Sequence, residues 1–195
     1  MVGDKVKESR LYGLIKPIVI CFNWIYIRPK YIGKDKIPKS GRIILAGNHT
    51  SILDPVVLIS ATKRNIHFLA KEELWHGVKG IIFNNLGLIP VNRRIKDHEA
   101  LVKAEEYLNN DMVVGIFPEG TTEKGRGLLP FKVGAVKMAK DTNSKIVPFI
   151  IKGKYGLFRR VTVTFLEPIG VTSNDMVKEN NKLRTIIQDG RDNHE

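Results

Sequence analysis

Cysteine is all but missing. Cys21 stands alone among 195 residues, so neither an intrachain disulfide nor an all-cysteine metal site can form, and a reducing compartment is the simpler setting. The chain has no internal repeat and no low-complexity tract, and its composition excludes collagen and coiled coil. Long apolar runs are too few for a multi-span membrane protein. Acidic residues are scarce beside basic ones: 20 Asp+Glu face 32 Lys+Arg, a formal charge of +12. What is present, 43% hydrophobic and 27% charged residues, suffices for one folded domain of ordinary size.

The excess charge is concentrated. Residues 1–40 hold nine Lys/Arg against Asp4, Glu8 and Asp35, and residues 152–160 add Lys152, Lys154, Arg159 and Arg160 with no acid. Such clusters attract polyanions: nucleic acid, an anionic bilayer or a phosphorylated ligand. A solvated basic face is the plainer alternative. The apolar residues beside them favour lipid. Residues 11–27 read LYGLIKPIVICFNWIYI, about 25 Å as a helix and barely the depth of a bilayer core. Lys16 and Pro17 interrupt this run, and the proline predicts a break or kink. No small-residue cleavage pattern follows it. Two short helices in the headgroup layer, with aromatic rings at the boundary and cations outside, fit these facts, with a buried core helix as the alternative. The expected organisation is a membrane-anchoring segment at 1–30, an α/β domain at 31–172 and a polar tail at 173–195 ending in a frayed helix.

Short β-branched runs at 43–46, 66–70, 88–91, 113–117, 146–151 and 161–166 predict strands, several buried on both faces. Helical candidates lie between them at 55–62, 71–84, 96–109 and 131–140. This alternation predicts an α/β fold with a largely parallel or mixed central sheet flanked by helices. Pro148 within the fifth run suggests an edge strand or a bend.

Three constellations carry chemistry. After the first core strand comes Asn48-His49-Thr50-Ser51-Ile52-Leu53-Asp54-Pro55. A carboxylate four residues beyond the intervening loop start can take one imidazole N–H, fix the tautomer and leave the other nitrogen as a base. Asp54 before Pro55 equally suits a helix N-cap, which makes His49 a loop histidine. Gly87-Leu88-Ile89-Pro90-Val91-Asn92-Arg93-Arg94 places two guanidinium groups past a strand, suited to a phosphate or to solvent. Phe117-Pro118-Glu119-Gly120-Thr121-Thr122 follows another strand, either a ligand site or an ordinary turn. Lys132 opens a helix whose N–H groups can help hold an anion. His67, His76, His98 and His194 are too scattered for a metal site.

Asn48-His49 with Asp54, Gly87 through Arg93, Phe117 through Thr121 and Ile146-Val147-Pro148, in this order, resemble the four blocks of the glycerolipid acyltransferases, in particular the bacterial 1-acyl-sn-glycerol-3-phosphate acyltransferase type. The resemblance runs from about residue 10 to residue 170. It implies that His49, oriented by Asp54, takes the proton of an acceptor hydroxyl, which attacks an acyl thioester. It further implies that Arg93, Glu119, Gly120 and Thr121 hold the glycerol phosphate, with Arg94, Arg126 and Lys132 as further cations. The expected acceptor is lysophosphatidic acid, and acyl-carrier protein or acyl-CoA is the co-substrate, with no bound cofactor and no metal. Anionic membrane lipids are the expected partners, nucleic acid is not, and the expected location is the cytoplasmic face of the membrane, peripheral or monotopic. The segments 77–83 and 155–158 are expected to wall the acyl channel or dip into the membrane. One departure stands out: the family's third block often continues Glu-Gly-Thr-Arg, and Thr122 occupies the arginine position here. Another acceptor within the family, or a non-catalytic basic membrane-surface protein, are the competing readings.

Overall fold

The structure is a computed structural model and describes residues 9–76, 78–92, 97–122, 127–156 and 159–193. Among these, seven strands form one sheet: β1 Lys30–Ile32, β2 Ile43–Gly47, β3 Ile66–Lys71, β4 Ile89–Val91, β5 Val113–Ile116, β6 Lys145–Gly153 and β7 Val161–Phe165. Their spatial order is β1-β7-β6-β2-β5-β3-β4. Every neighbouring pair is parallel except β6–β7. The carboxyl ends of β2 to β6 therefore share one edge of the sheet with the amino ends of β1 and β7.

Helices cover both faces, so the central strands are apolar throughout rather than alternating. On β2, Ile43 and Leu45 pack with Val57, Leu58 and Ala61 of α2 (Asp54–Ile59) and the turn after it. Ile44 and Ala46 point to the other face, among Ala100, Ala104 and Leu108 of α4 (His98–Asn109) and Val136 and Met138 of α5 (Gly134–Asp141). The sheet is mixed α/β, as the alternation of runs predicts. α3 covers Val78–Asn85.

Three expectations need correction. First, the polar stretch near the C-terminus is no frayed tail: α6 (Met176–Asp192) lies on β6 with Leu183 and Ile187 fully buried, and its N-terminus is capped by Asp175. Second, Pro17 does not split the N-terminal helix. α1 (Arg10–Phe22) runs through it and ends in a π-helical turn at Asn23–Ile27. Pro17 itself lies on the exposed side of the helix. Third, Pro148 sits in an internal strand paired with both β2 and β7. Its carbonyl accepts from the Leu166 N–H at the end of the β6–β7 ladder, so its missing donor falls where that ladder stops.

α1 is amphipathic with its polarity inverted. Its inward groups are polar: Tyr12 Oη donates to the Ile66 carbonyl, Lys16 Nζ donates to the carbonyls of Lys63 and Arg64, and Asn23 Nδ2 donates to Val56 O and Ser60 Oγ. Leu14 and Ile18 on its outward side are 69% and 68% exposed, and Trp24 on the π-helical turn continues them at 78%.

Candidate active site

The first and third sequence motifs converge at the carboxyl ends of β2 and β5, the edge where open α/β sheets bind ligands. Asn48 follows β2 directly. Its amide donates to the Ile151 carbonyl and accepts the Ile151 N–H, at 2.9 and 2.7 Å, stitching β2 to β6 like one further rung. That fixes where the next residue, His49, leaves the sheet.

His49 Nδ1 lies 2.8 Å from Asp54 Oδ2. A carboxylate only accepts, so Nδ1 carries a proton, and in the neutral imidazole the lone pair is on Nε2. Asp54 is fully buried, and five donors meet it: Oδ2 takes His49 Nδ1 and the Thr50 and Ser51 N–H groups, while Oδ1 takes Thr50 Oγ1 and the Tyr155 hydroxyl. The carboxylate thus gathers the loop before it and leaves α2 uncapped, which removes the simple N-cap reading of Asp54. Burial, reinforced by the Asp54 charge, pushes the Tyr155 phenol far up, so it remains a proton donor. The His49 imidazole stacks on Phe117, with centroids 3.9 Å apart and planes 14° from parallel.

The third motif reaches the same histidine through its backbone. Glu119 Oε1 accepts the His49 N–H at 2.9 Å and Oε2 accepts the Leu129 N–H at 3.0 Å. The turn that presents Glu119 closes by a bond from Gly120 N–H to the Phe117 carbonyl, and Gly120 has φ +70°, a conformation that favours glycine. Lys132 is anchored to this turn by its N–H on the Pro118 carbonyl, and its side chain runs against Gly120. Thr121 follows on the same turn, half-buried. Beside the His49 loop a cavity of about 290 Å³ is lined by Asn48, Thr50, Ile151, Lys152, Gly153, Arg191 and Asp192.

In the second motif, Gly87 has φ +63°, and a Cβ there would come within 2.4 Å of His67 Nδ1. That ring nitrogen bonds the Gly87 carbonyl at 3.0 Å, and the imidazole stacks on Tyr107. Gly87 therefore seats the turn before β4. Arg93, Arg94 and Arg126 lie outside the described residues, so of the expected cations the structure places Lys132 with Gly120. Tyr155, expected to wall a channel or dip into the membrane with the rest of its loop, points inward to Asp54. Its role was invisible in the sequence because 101 residues separate it from its partner.

A mixed α/β sheet thus presents, at its strand ends, a histidine oriented by a buried carboxylate. The acyltransferase family profile matches residues 28–152, and the chain belongs to the acyltransferase family. It is 35% identical over 129 residues to a 1-acyl-sn-glycerol-3-phosphate acyltransferase of Borreliella burgdorferi, covering 65% of this chain and 52% of that protein. It is 32% identical over 142 residues to the Haemophilus influenzae protein of the same name, covering 67% of this chain and 59% of that one. The chain thus spans between half and two thirds of the length of these relatives. A solved structure, the 1-acyl-sn-glycerophosphate (LPA) acyltransferase PlsC from Thermotoga maritima, shares the fold with TM-score 0.72 at 23% identity, covering 92% of this chain and 79% of that one.

Proposed function

We propose that this protein is a membrane-surface O-acyltransferase that moves a fatty acyl group from a thioester to the 2-hydroxyl of 1-acylglycerol 3-phosphate, yielding phosphatidic acid and a free thiol. The observation that carries this reading is the His49 Nδ1–Asp54 contact within a family of acyl-transferring enzymes. His49 Nε2 takes the hydroxyl proton as the oxygen attacks the thioester carbonyl, and the buried Asp54 carboxylate offsets the imidazolium charge. Collapse of the tetrahedral intermediate breaks the carbon–sulfur bond, and the departing thiolate receives the proton from His49. The acceptor hydroxyl is the nucleophile, consistent with a chain whose one cysteine, Cys21, is exposed on α1.

Glu119 holds the His49 backbone and closes the turn that, with Gly120 and Thr121, shapes the glycerol end. Lys132 beside Gly120, with Arg93, Arg94 and Arg126, supplies the positive charge for the phosphate. The exposed apolar side of α1 lies on the bilayer, where acceptor and product reside, and the basic surface suits either an acyl-carrier protein or coenzyme A. Thr122 favours a second reading, the same transfer to another acceptor such as glycerol 3-phosphate or another lysophospholipid. The test is a thioester on each carrier offered with labelled lysophosphatidate and, separately, with those other acceptors. Phosphatidate from lysophosphatidate alone supports the first reading; product only from another acceptor replaces it with the second.

A further inference from the structure

A cavity of about 590 Å³ opens between the π-helical turn, β1 and the start of β7, lined by Ile20, Asn23, Trp24, Ile25, Arg28, Pro29, Lys30, Tyr31, Ser60 and Arg160. Its wall has two chemistries. Ile20, Trp24 and Ile25 continue the exposed apolar side of α1. Arg28, Lys30 and Arg160 bring three cations from two distant stretches of chain, because β1 and β7 are parallel and both begin at this edge. Among the described residues no carboxylate pairs with any of the three. Asn23 adds a third element: it is 2% exposed, both its donor contacts are made, and its Oδ1 is buried without a partner. Arg28 is held in place by a left-handed backbone (φ 50°) and by its N–H on the Asn23 carbonyl at 2.7 Å.

From this we infer that the cavity is a binding site for one anionic glycerophospholipid of the bilayer, separate from the acceptor site. The phosphodiester sits among Arg28, Lys30 and Arg160, a headgroup hydroxyl can donate to Asn23 Oδ1, and an acyl chain lies along Ile20, Trp24 and Ile25. The site is set apart from the dyad by α2: Asp54 begins that helix and Ser60, in the cavity wall, follows its end, about 9 Å of helix away. Charge favours the occupant, since a zwitterionic lipid brings no net charge to the three cations in the wall while an anionic one offsets part of theirs. The inference rests on the membrane-surface part of the proposed function and not on the identity of the acceptor.

The test is flotation of the full chain with vesicles of phosphatidylcholine alone or with phosphatidylglycerol added. The variant Arg28→Gln/Lys30→Gln/Arg160→Gln is set against Lys103→Gln/Lys178→Gln/Lys182→Gln, which removes the same charge from helices of the opposite layer. The site predicts that phosphatidylglycerol strengthens wild-type binding and that the cavity variant loses about a hundredfold in affinity. The opposite-layer variant, further away than a Debye length of about 8 Å, stays near wild type. Equal loss in both variants, or equal wild-type binding to both vesicles, overturns the site. In detergent micelles the cavity variant keeps the wild-type KM for lysophosphatidate. A raised KM there would make the cavity the acceptor site instead and overturn the separation. Absence of acyl transfer by wild type would count against the enzyme reading and leave the vesicle result standing. In a Trp75→Phe background, phosphatidylglycerol with a brominated acyl chain quenches Trp24; unquenched Trp24 in vesicle-bound protein excludes the proposed chain position.

Discussion

Tyr155 and Asp54, 101 residues apart, share a hydrogen bond at the centre of the site: the phenol donates to Oδ1 of the carboxylate whose Oδ2 holds His49 Nδ1. Asp54 is fully buried, and a buried carboxylate is stable only when its lone pairs are met by donors. Among the described residues, Tyr155 is the one side chain from outside the His49 loop that does so. The dyad is therefore a property of β2 and of the loop after β6 together.

Removing the phenol tests this relationship. Tyr155→Phe should lower kcat by about ten- to a hundredfold, the cost of losing a hydrogen bond to a charged group, with little change in KM. In a double-mutant cycle with Asp54→Asn the two losses should be clearly less than additive. Additive losses would mean that Tyr155 acts on something other than Asp54.

Glu119 distinguishes positioning from substrate contact. Each of its carboxylate oxygens accepts a backbone N–H, one from His49 and one from Leu129. Glu119→Gln replaces one acceptor oxygen by an NH2 group that can only donate, and should reduce kcat by about tenfold or more with the acceptor KM nearly unchanged. A raised KM at constant kcat would assign Glu119 to the acceptor instead.

His67 gives the fold an acid-sensitive point. Burial lowers its pKa from 6.5 to about 4, against a smaller opposing effect of its bond to Gly87. The unfolded chain then binds the proton first, so stability is highest above pH 6.5 and is lost as pH falls from 6.5 towards 4. The slope approaches about 1.4 kcal/mol per pH unit within that window. Denaturant unfolding across the window should show it, and an imidazole resonance of His67 that titrates near 6.5 would contradict it.

Lys16 fastens α1 to the domain through two carbonyls, at 2.9 and 2.7 Å. Lys16→Met leaves both acceptors unmet and should cost about 1–3 kcal/mol of stability. Amide exchange in α1 should rise with it. Unaltered exchange would show that the helix is held by Tyr12 and Asn23 alone.

The legible parts of this fold are those where periodicity and burial coincide. The strands from 43 to 166 stood out because the sheet is covered by helices, which makes the central runs nearly continuously apolar, while Val161–Phe165 showed itself by alternation. β1 was missed because Lys30-Tyr31-Ile32 is three residues long inside a basic stretch, and it becomes a strand only by pairing with β7. α6 read as a tail because little of it is apolar; Leu183 and Ile187, four apart, are its fully buried apolar pair. At the site, His49 and Asp54 announced themselves by spacing within one loop. The contacts of Glu119 and Tyr155 did not, because sheet order, which brings β5 and β6 to either side of β2, has no trace in local sequence.

The most direct measurement is the rate of phosphatidate formation from lysophosphatidate and an acyl thioester by wild type and His49→Ala at matched vesicle binding. With His49 as the base, the variant should lose at least about a hundredfold, up to ten thousandfold, in rate while floating with the vesicles and unfolding like wild type. A well-folded, vesicle-bound His49→Ala that makes phosphatidate at the wild-type rate would contradict the account.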